Sequence, residues 1–133
     1  MNADVREEIH VLETERVIGC AFSVLNGVGH GFHEKVYENA LVVEFGNQEI
    51  QFLQQPRFPV HHRGIKVGEF VPDLIVLGKV VVDTKTITKI TDHEIGQMLN
   101  YPRVTGLRVG LILNFKYSKL EFRRVILSAK SVS

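Results

Sequence analysis

Two short apolar runs, Leu74-Ile75-Val76-Leu77 and Val80-Val81-Val82, constrain this chain more than any other feature. Neither run alternates apolar with polar residues, so both faces of each must be covered. Their β-branched residues and the intervening Gly78-Lys79 read as paired strands. The expectation is a hairpin in the interior of a sheet, with other elements packed above and below. Each run carries a carboxylate at the end away from the turn, Asp73 on the first and Asp83 on the second. Lys85 lies two residues beyond Asp83 and therefore points to the same side of its strand. A plain two-residue turn at Gly78-Lys79 would pair Leu77 with Val80 and send the two carboxylates to opposite faces. A shared site therefore demands an odd-length loop or a bulge between them.

The flanking sequence supplies the covering layers. Residues 8–25 carry an apolar stripe at helical spacing that includes Ile9, Leu12, Val17, Ala21 and Leu25. A glycine-rich joint, Gly27-Val28-Gly29-His30-Gly31, precedes a second predicted helix over residues 32–45, which Gly46-Asn47 ends. Residues 48–56 are ambiguous between strand and loop. Residues 58–62 read as a strand, and Arg63-Gly64 as a turn. Residues 65–77 read as extended chain interrupted near Gly68 and Pro72, and 80–87 as the next strand. Thr91 or Asp92 caps a helix running to about residue 104, kinked at Pro102 and closed by Gly106. Residues 109–115 and 120–126 form a second hairpin. The order α-α-β-β-β-α-β-β predicts an α/β (α+β) fold, one domain of 133 residues with its core at about 8–127.

Composition narrows the partners. The formal net charge is +1, so any contact with a polyanion must come from a local patch. The single Cys20 rules out an internal disulfide and a cysteine zinc site. No apolar stretch approaches a membrane span, and the acidic opening residues do not resemble a signal peptide, so the expected setting is cytoplasmic with no membrane contact.

Asp73, Asp83 and Lys85 are the candidate chemical residues. Two carboxylates can hold a hard divalent cation, and an adjacent ammonium can steer a water or a phosphate. Other signals are weaker. Glu34 and Glu38 lie four apart on one helix, and Glu38 reads as a surface acid. Gln97 and Tyr101 share a helix face, with His93 and Glu94 one turn earlier. Residues 27–31 join two helices rather than following a strand, which argues against a nucleotide loop. His61 and His62 point opposite ways on one strand and make a poor metal pair. Lys116, Lys119, Arg123 and Arg124 read as a solvated hairpin.

Several of these segments carry a family resemblance. Gly31-Phe32-His33-Glu34-Lys35-Val36-Tyr37 resembles the signature of the GxxExxY protein family. Residues 67–76, Gln97-Met98-Leu99-Asn100-Tyr101 and residues 104–115 resemble that family's central strand and C-terminal half. Asp73, Asp83 and Lys85 match the broader PD-(D/E)XK nuclease signature. The resemblance implies a three-layer core, a mixed sheet flanked by helices, and metal-dependent hydrolysis of phosphodiester bonds in nucleic acid. It implies Glu34, Asp73, Asp83, Lys85, Gln97 and Tyr101 as site residues. Asp73, Asp83 and the Thr84 carbonyl would hold Mg²⁺ (or Mn²⁺). Position 83 is Asp where relatives usually carry Glu, and position 102 is Pro where an apolar helix former is usual. The choice of DNA or RNA stays open, and a homodimer is one way for so compact a chain to grip a duplex. The alternative is a non-catalytic module that keeps the fold to bind nucleic acid or a protein.

Overall fold

In the computed structural model, which describes residues 9–127, the two predicted N-terminal helices are α1 (Val11–Val28) and α2 (Glu34–Asn47). The joint between them is pinned by Tyr37. Its hydroxyl donates to the Gly29 carbonyl at 2.8 Å and accepts from the Phe32 N–H at 3.1 Å. The Tyr37 ring stacks on Phe115 with centroids 4.5 Å apart. Gly31, at φ 100°, takes a backbone conformation that a side chain would oppose. The Gly31 and Tyr37 of the GxxExxY-like segment thus have structural work in the bend between α1 and α2.

The main sheet has five strands in the order β1-β4-β5-β6-β7: β1 (Phe52–Gln54), β4 (Leu74–Val76), β5 (Val80–Lys85), β6 (Val109–Asn114) and β7 (Glu121–Ile126). Only β5 and β6 run parallel. The predicted interior hairpin is β4–β5, and Leu74, Val76, Val80, Val81 and Val82 are wholly buried. Val80 and Val82 pack with Val17, Ala21, Leu41 and Phe45 of the α1–α2 layer. Val81 and Ile112 face the opposite way, toward Ile90 and Met98. The sheet therefore lies between two helical layers, with β5 in its middle.

The second layer contains α3 (Asp92–Met98) and α4 (Pro102–Thr105). Thr91 caps α3 through a reciprocal box in which Glu94 accepts from the Thr91 N–H at 2.7 Å. The expected single helix over 91–104 is thus two, because Pro102 has no N–H to continue the ladder and instead opens α4. Gly110 of β6 lets α3 lie close. A Cβ there would sit 2.2 Å from the Met98 sulfur.

The extended segment 65–77 also divides. β2 (Phe58–His62) and β3 (Ile65–Phe70) form a separate two-stranded ribbon, and Val71-Pro72 breaks the chain before β4. The ambiguous segment 48–56 contributes β1, which pairs with β4.

Candidate active site

The β4–β5 register decides whether Asp73 and Asp83 can cooperate. Val76 pairs with Val80, Ile75 with Val81 and Leu74 with Val82. The connecting loop is therefore the three residues 77–79, an odd number. Leu77 and Gly78 make it possible by taking φ values of 57° and 64°. The ladder ends at Leu74 and Val82, so Asp73 leaves β4 beside Asp83 and Thr84, at the end of the sheet where β4 begins, and its carboxylate turns to Thr84. By the strand's period, Asp83 and Lys85 share the α3 side with Val81, while Thr84 lies on the α2 side with Val82.

Each carboxylate is fixed through one oxygen and keeps a second. Asp73 Oδ2 accepts from the Thr84 N–H at 2.8 Å and the Thr84 hydroxyl at 2.9 Å. Asp83 Oδ2 accepts from the Tyr101 hydroxyl at 3.1 Å. Burial pushes the Asp83 carboxyl up to about 6, helped by the neighbouring Asp73 charge; Lys85 and the Tyr101 hydroxyl oppose the rise. Burial also raises Asp73, against the two Thr84 hydrogen bonds, with the Glu38 charge adding to the rise and Lys85 opposing it. Burial, with the Asp83 charge behind it, pushes the Tyr101 phenol up, so that it remains a donor at neutral pH.

A buried carboxyl, Asp83, and a partly buried one, Asp73, both driven toward protonation beside one ammonium, form an oxygen-donor set that suits a hard divalent cation. Among the described residues no cluster of three His, Cys, Asp or Glu side chains converges. A cation on Asp73 and Asp83 would therefore draw its remaining ligands from water and from backbone carbonyls such as that of Thr84, which is how Mg²⁺ is commonly held.

The acid that α2 contributes beside Asp73 is Glu38. The surface reading of Glu38 is corrected here: it is 3% exposed. It lies three residues before Leu41 and seven before Phe45, on the buried stripe of α2, which is the signal that marks it in the sequence. Its carboxylate accepts from Lys35 Nζ at 3.0 Å, Gln54 Nε2 at 2.6 Å and Gln55 Nε2 at 3.3 Å. Gln55, at φ 51°, donates its backbone N–H to the Asp73 carbonyl at 2.9 Å. Gln55 thereby ties α2 to the Asp73 backbone, a link that sequence patterning had no means of predicting.

Glu34 stands in the first turn of α2 and is exposed. That turn borders a cleft of about 220 Å³ lined by Gly31, Phe32, His33, Thr86 and Lys116, so it lies at the end of the molecule where β5 leads out of Lys85. Gln97 is exposed on α3. Neither makes a side-chain hydrogen bond to Asp73, Asp83 or Lys85 among the described residues. Glu94 is occupied by its cap, and His93 is exposed.

The sequence pattern of one family, the PD-(D/E)XK nuclease superfamily, matches residues 12–125. No curated protein and no solved structure matches the chain.

Proposed function

The chain belongs to the PD-(D/E)XK nuclease superfamily, and we propose that it is a metal-dependent hydrolase of phosphodiester bonds in nucleic acid, of the GxxExxY type, with its site at Asp73, Asp83 and Lys85. The observation that carries the proposal is the three-residue loop at 77–79, whose register brings the partly buried Asp73 to the end of β4 beside the buried Asp83. A simpler hairpin would serve the fold equally well and would separate them.

When bound, Mg²⁺ or Mn²⁺ would polarise the scissile phosphate and acidify a water. The chain's own residues have distinct tasks around it. Thr84 orients Asp73 through two donors, and Tyr101 orients Asp83 through one. Lys85 offsets charge that develops on the phosphate oxygens. Glu38 and Gln55 hold the Asp73 backbone in place. Glu34 and Gln97, both exposed, are proposed to meet the substrate rather than the cation.

The test is cleavage of single- and double-stranded DNA and RNA with Mn²⁺, alongside calorimetric Mn²⁺ binding. The expected result is cleavage that Asp73→Ala abolishes with no loss of fold. Lys85→Ala is expected to reduce turnover while leaving Mn²⁺ affinity within about threefold, since an ammonium is not a ligand. Equal cleavage by wild type and Asp73→Ala would mark a contaminating nuclease and overturn the assignment. Absence of both cleavage and Mn²⁺ binding would favour the non-catalytic module.

A further inference from the structure

The β2–β3 ribbon has no part in the main sheet. It is an excursion between two strands that pair with each other, β1 and β4. Its entry and exit are joined where the Gln55 N–H meets the Asp73 carbonyl, so the ribbon rises from the edge of the candidate active site. Its base is anchored by aromatic contact. Phe58 and Phe70 pair across the two strands, and the Phe70 ring lies 4.0 Å, centroid to centroid, from Tyr101, the residue bonded to Asp83.

The outer part of the ribbon is open to solvent from His61 to Glu69. Arg63 and Gly64 both take positive φ, 53° and 78°, which makes the tight two-residue turn that suits a twisted hairpin and presents Arg63 at the tip. Between residues 57 and 69 the ribbon carries Arg57, Arg63 and Lys66 against a single acid, Glu69, with the imidazoles of His61 and His62 beside them. Glu69 is engaged by Arg57 at 2.8 Å and Lys66 at 3.2 Å. In a chain whose net charge is only +1, this is a local cationic projection.

We propose that the β2–β3 ribbon enters the major groove of double-stranded DNA and positions the duplex over Asp73 and Asp83. The proposal rests on the nuclease reading and names its substrate class. A two-stranded ribbon fits the B-form major groove, whereas the A-form RNA groove is too narrow for it. The ribbon's two phenylalanines are used at its base, and no Phe, Tyr or Trp stands at the tip as the broad platform on which a single-strand binder stacks bases. At about 3.3 Å per residue, the six residues of β3 set the tip roughly 20 Å from the base, about six base pairs along a duplex.

The experiment measures binding alone, in EDTA, by fluorescence anisotropy over a range of salt. The probes are a 20-base-pair DNA duplex, its single strand and the matching RNA duplex. Arg63→Ala/Lys66→Ala is expected to weaken duplex DNA binding about tenfold at 0.1 M salt and to lower the log–log salt slope by about 2. Single-strand affinity should change less than threefold. Arg63→Lys/Lys66→Arg should restore most of the duplex affinity, which separates lost charge from lost fold. Equal duplex affinity in wild type and the alanine variant overturns the proposal, as does no duplex binding by wild type. A shift from dimer to monomer in sedimentation with duplex affinity unchanged also overturns it and makes the ribbon a contact between two copies. If binding depends on the ribbon but the same duplex is not cleaved with Mn²⁺, the nuclease reading fails and the ribbon proposal stands.

Discussion

Asp83→Asn should make the metal-free protein more stable at neutral pH, and the size of the gain follows from the site. The Asp83 carboxyl moves from its ordinary 3.8 to about 6 because it is buried beside Asp73. At roughly 1.36 kcal/mol per pH unit, that rise is a penalty of about 3 kcal/mol for keeping Asp83 ionised in the folded chain. Its sign is that of a raised group. Below about pH 4 the acid is protonated in both states and no penalty applies. Between about pH 4 and pH 6 the unfolded chain releases its proton first, and stability falls; above about pH 6 the loss is complete. Asparagine keeps the shape, can still accept from Tyr101, and places an amide rather than a charge beside Asp73. Urea unfolding in EDTA from pH 4 to pH 8 should therefore give curves that nearly coincide at pH 4. At pH 8 the variant should lead by about 3 kcal/mol. Groups away from Asp83 titrate alike in both proteins and cancel in the difference, while Asp73 is relieved of a like charge in the variant, which adds to the variant's lead at high pH. A divalent cation at 100 times its dissociation constant should stabilise wild type by about 2.7 kcal/mol and the variant far less. A constant difference across the pH range, or a variant less stable than wild type at pH 8, would refute the reasoning.

Gly110→Ala should destabilise by about 1–3 kcal/mol in urea unfolding, since a new Cβ meets Met98 Sδ at 2.2 Å and Cγ at 2.9 Å; Met98→Ala in the same chain should recover part of the loss. Glu38→Ala should lower stability by about 1–3 kcal/mol, because it removes the charge-assisted hydrogen bonds that the buried carboxylate accepts from Lys35, Gln54 and Gln55. Glu34→Ala, at an exposed site, should stay within about 0.5 kcal/mol, so a fall in cleavage by Glu34→Ala without a fall in stability would mark Glu34 as a substrate contact.

The legible parts of this fold are those in which local chemistry and tertiary packing agree. The runs 74–77 and 80–82 are apolar on both faces and became the buried β4–β5 pair. Thr91 has a glutamate three residues on, and the capping box formed there. The requirement for an odd loop followed from the even spacing of Asp73, Asp83 and Lys85, and residues 77–79 meet it. What stayed hidden depended on long-range geometry. Whether residues 65–77 were one strand or two turned on where Pro72 could be accommodated. Periodicity alone does not tell a ribbon leaving a sheet from a strand within it. Glu38 was misjudged because a glutamate on a helix is usually solvated, and only its position on the Leu41–Phe45 stripe argued otherwise. Gln54 and Gln55 carried no motif at all.

Two kinds of unfavourable feature, backbone strain and a buried like charge, meet at Asp73. Among the described residues five non-glycine residues take positive φ, and two of them, Gln55 and Leu77, bear directly on the placement of that carboxylate. Gln55 holds its carbonyl, and Leu77 shapes the loop that brings Asp83 beside it. A leucine in the left-handed region costs on the order of 1–2 kcal/mol, and the Asp83 charge costs about 3 kcal/mol more. Neither penalty is needed to close a hairpin between two apolar strands. A two-residue turn with apolar residues at 73 and 83 would bury the same surface without strain or repulsion. Strain and like charge brought together at one point of an otherwise consistent fold are expected where a bound ion offsets both. The same end of the sheet gives rise to the ribbon, so the acids and the cationic projection are arranged about a single residue, Asp73.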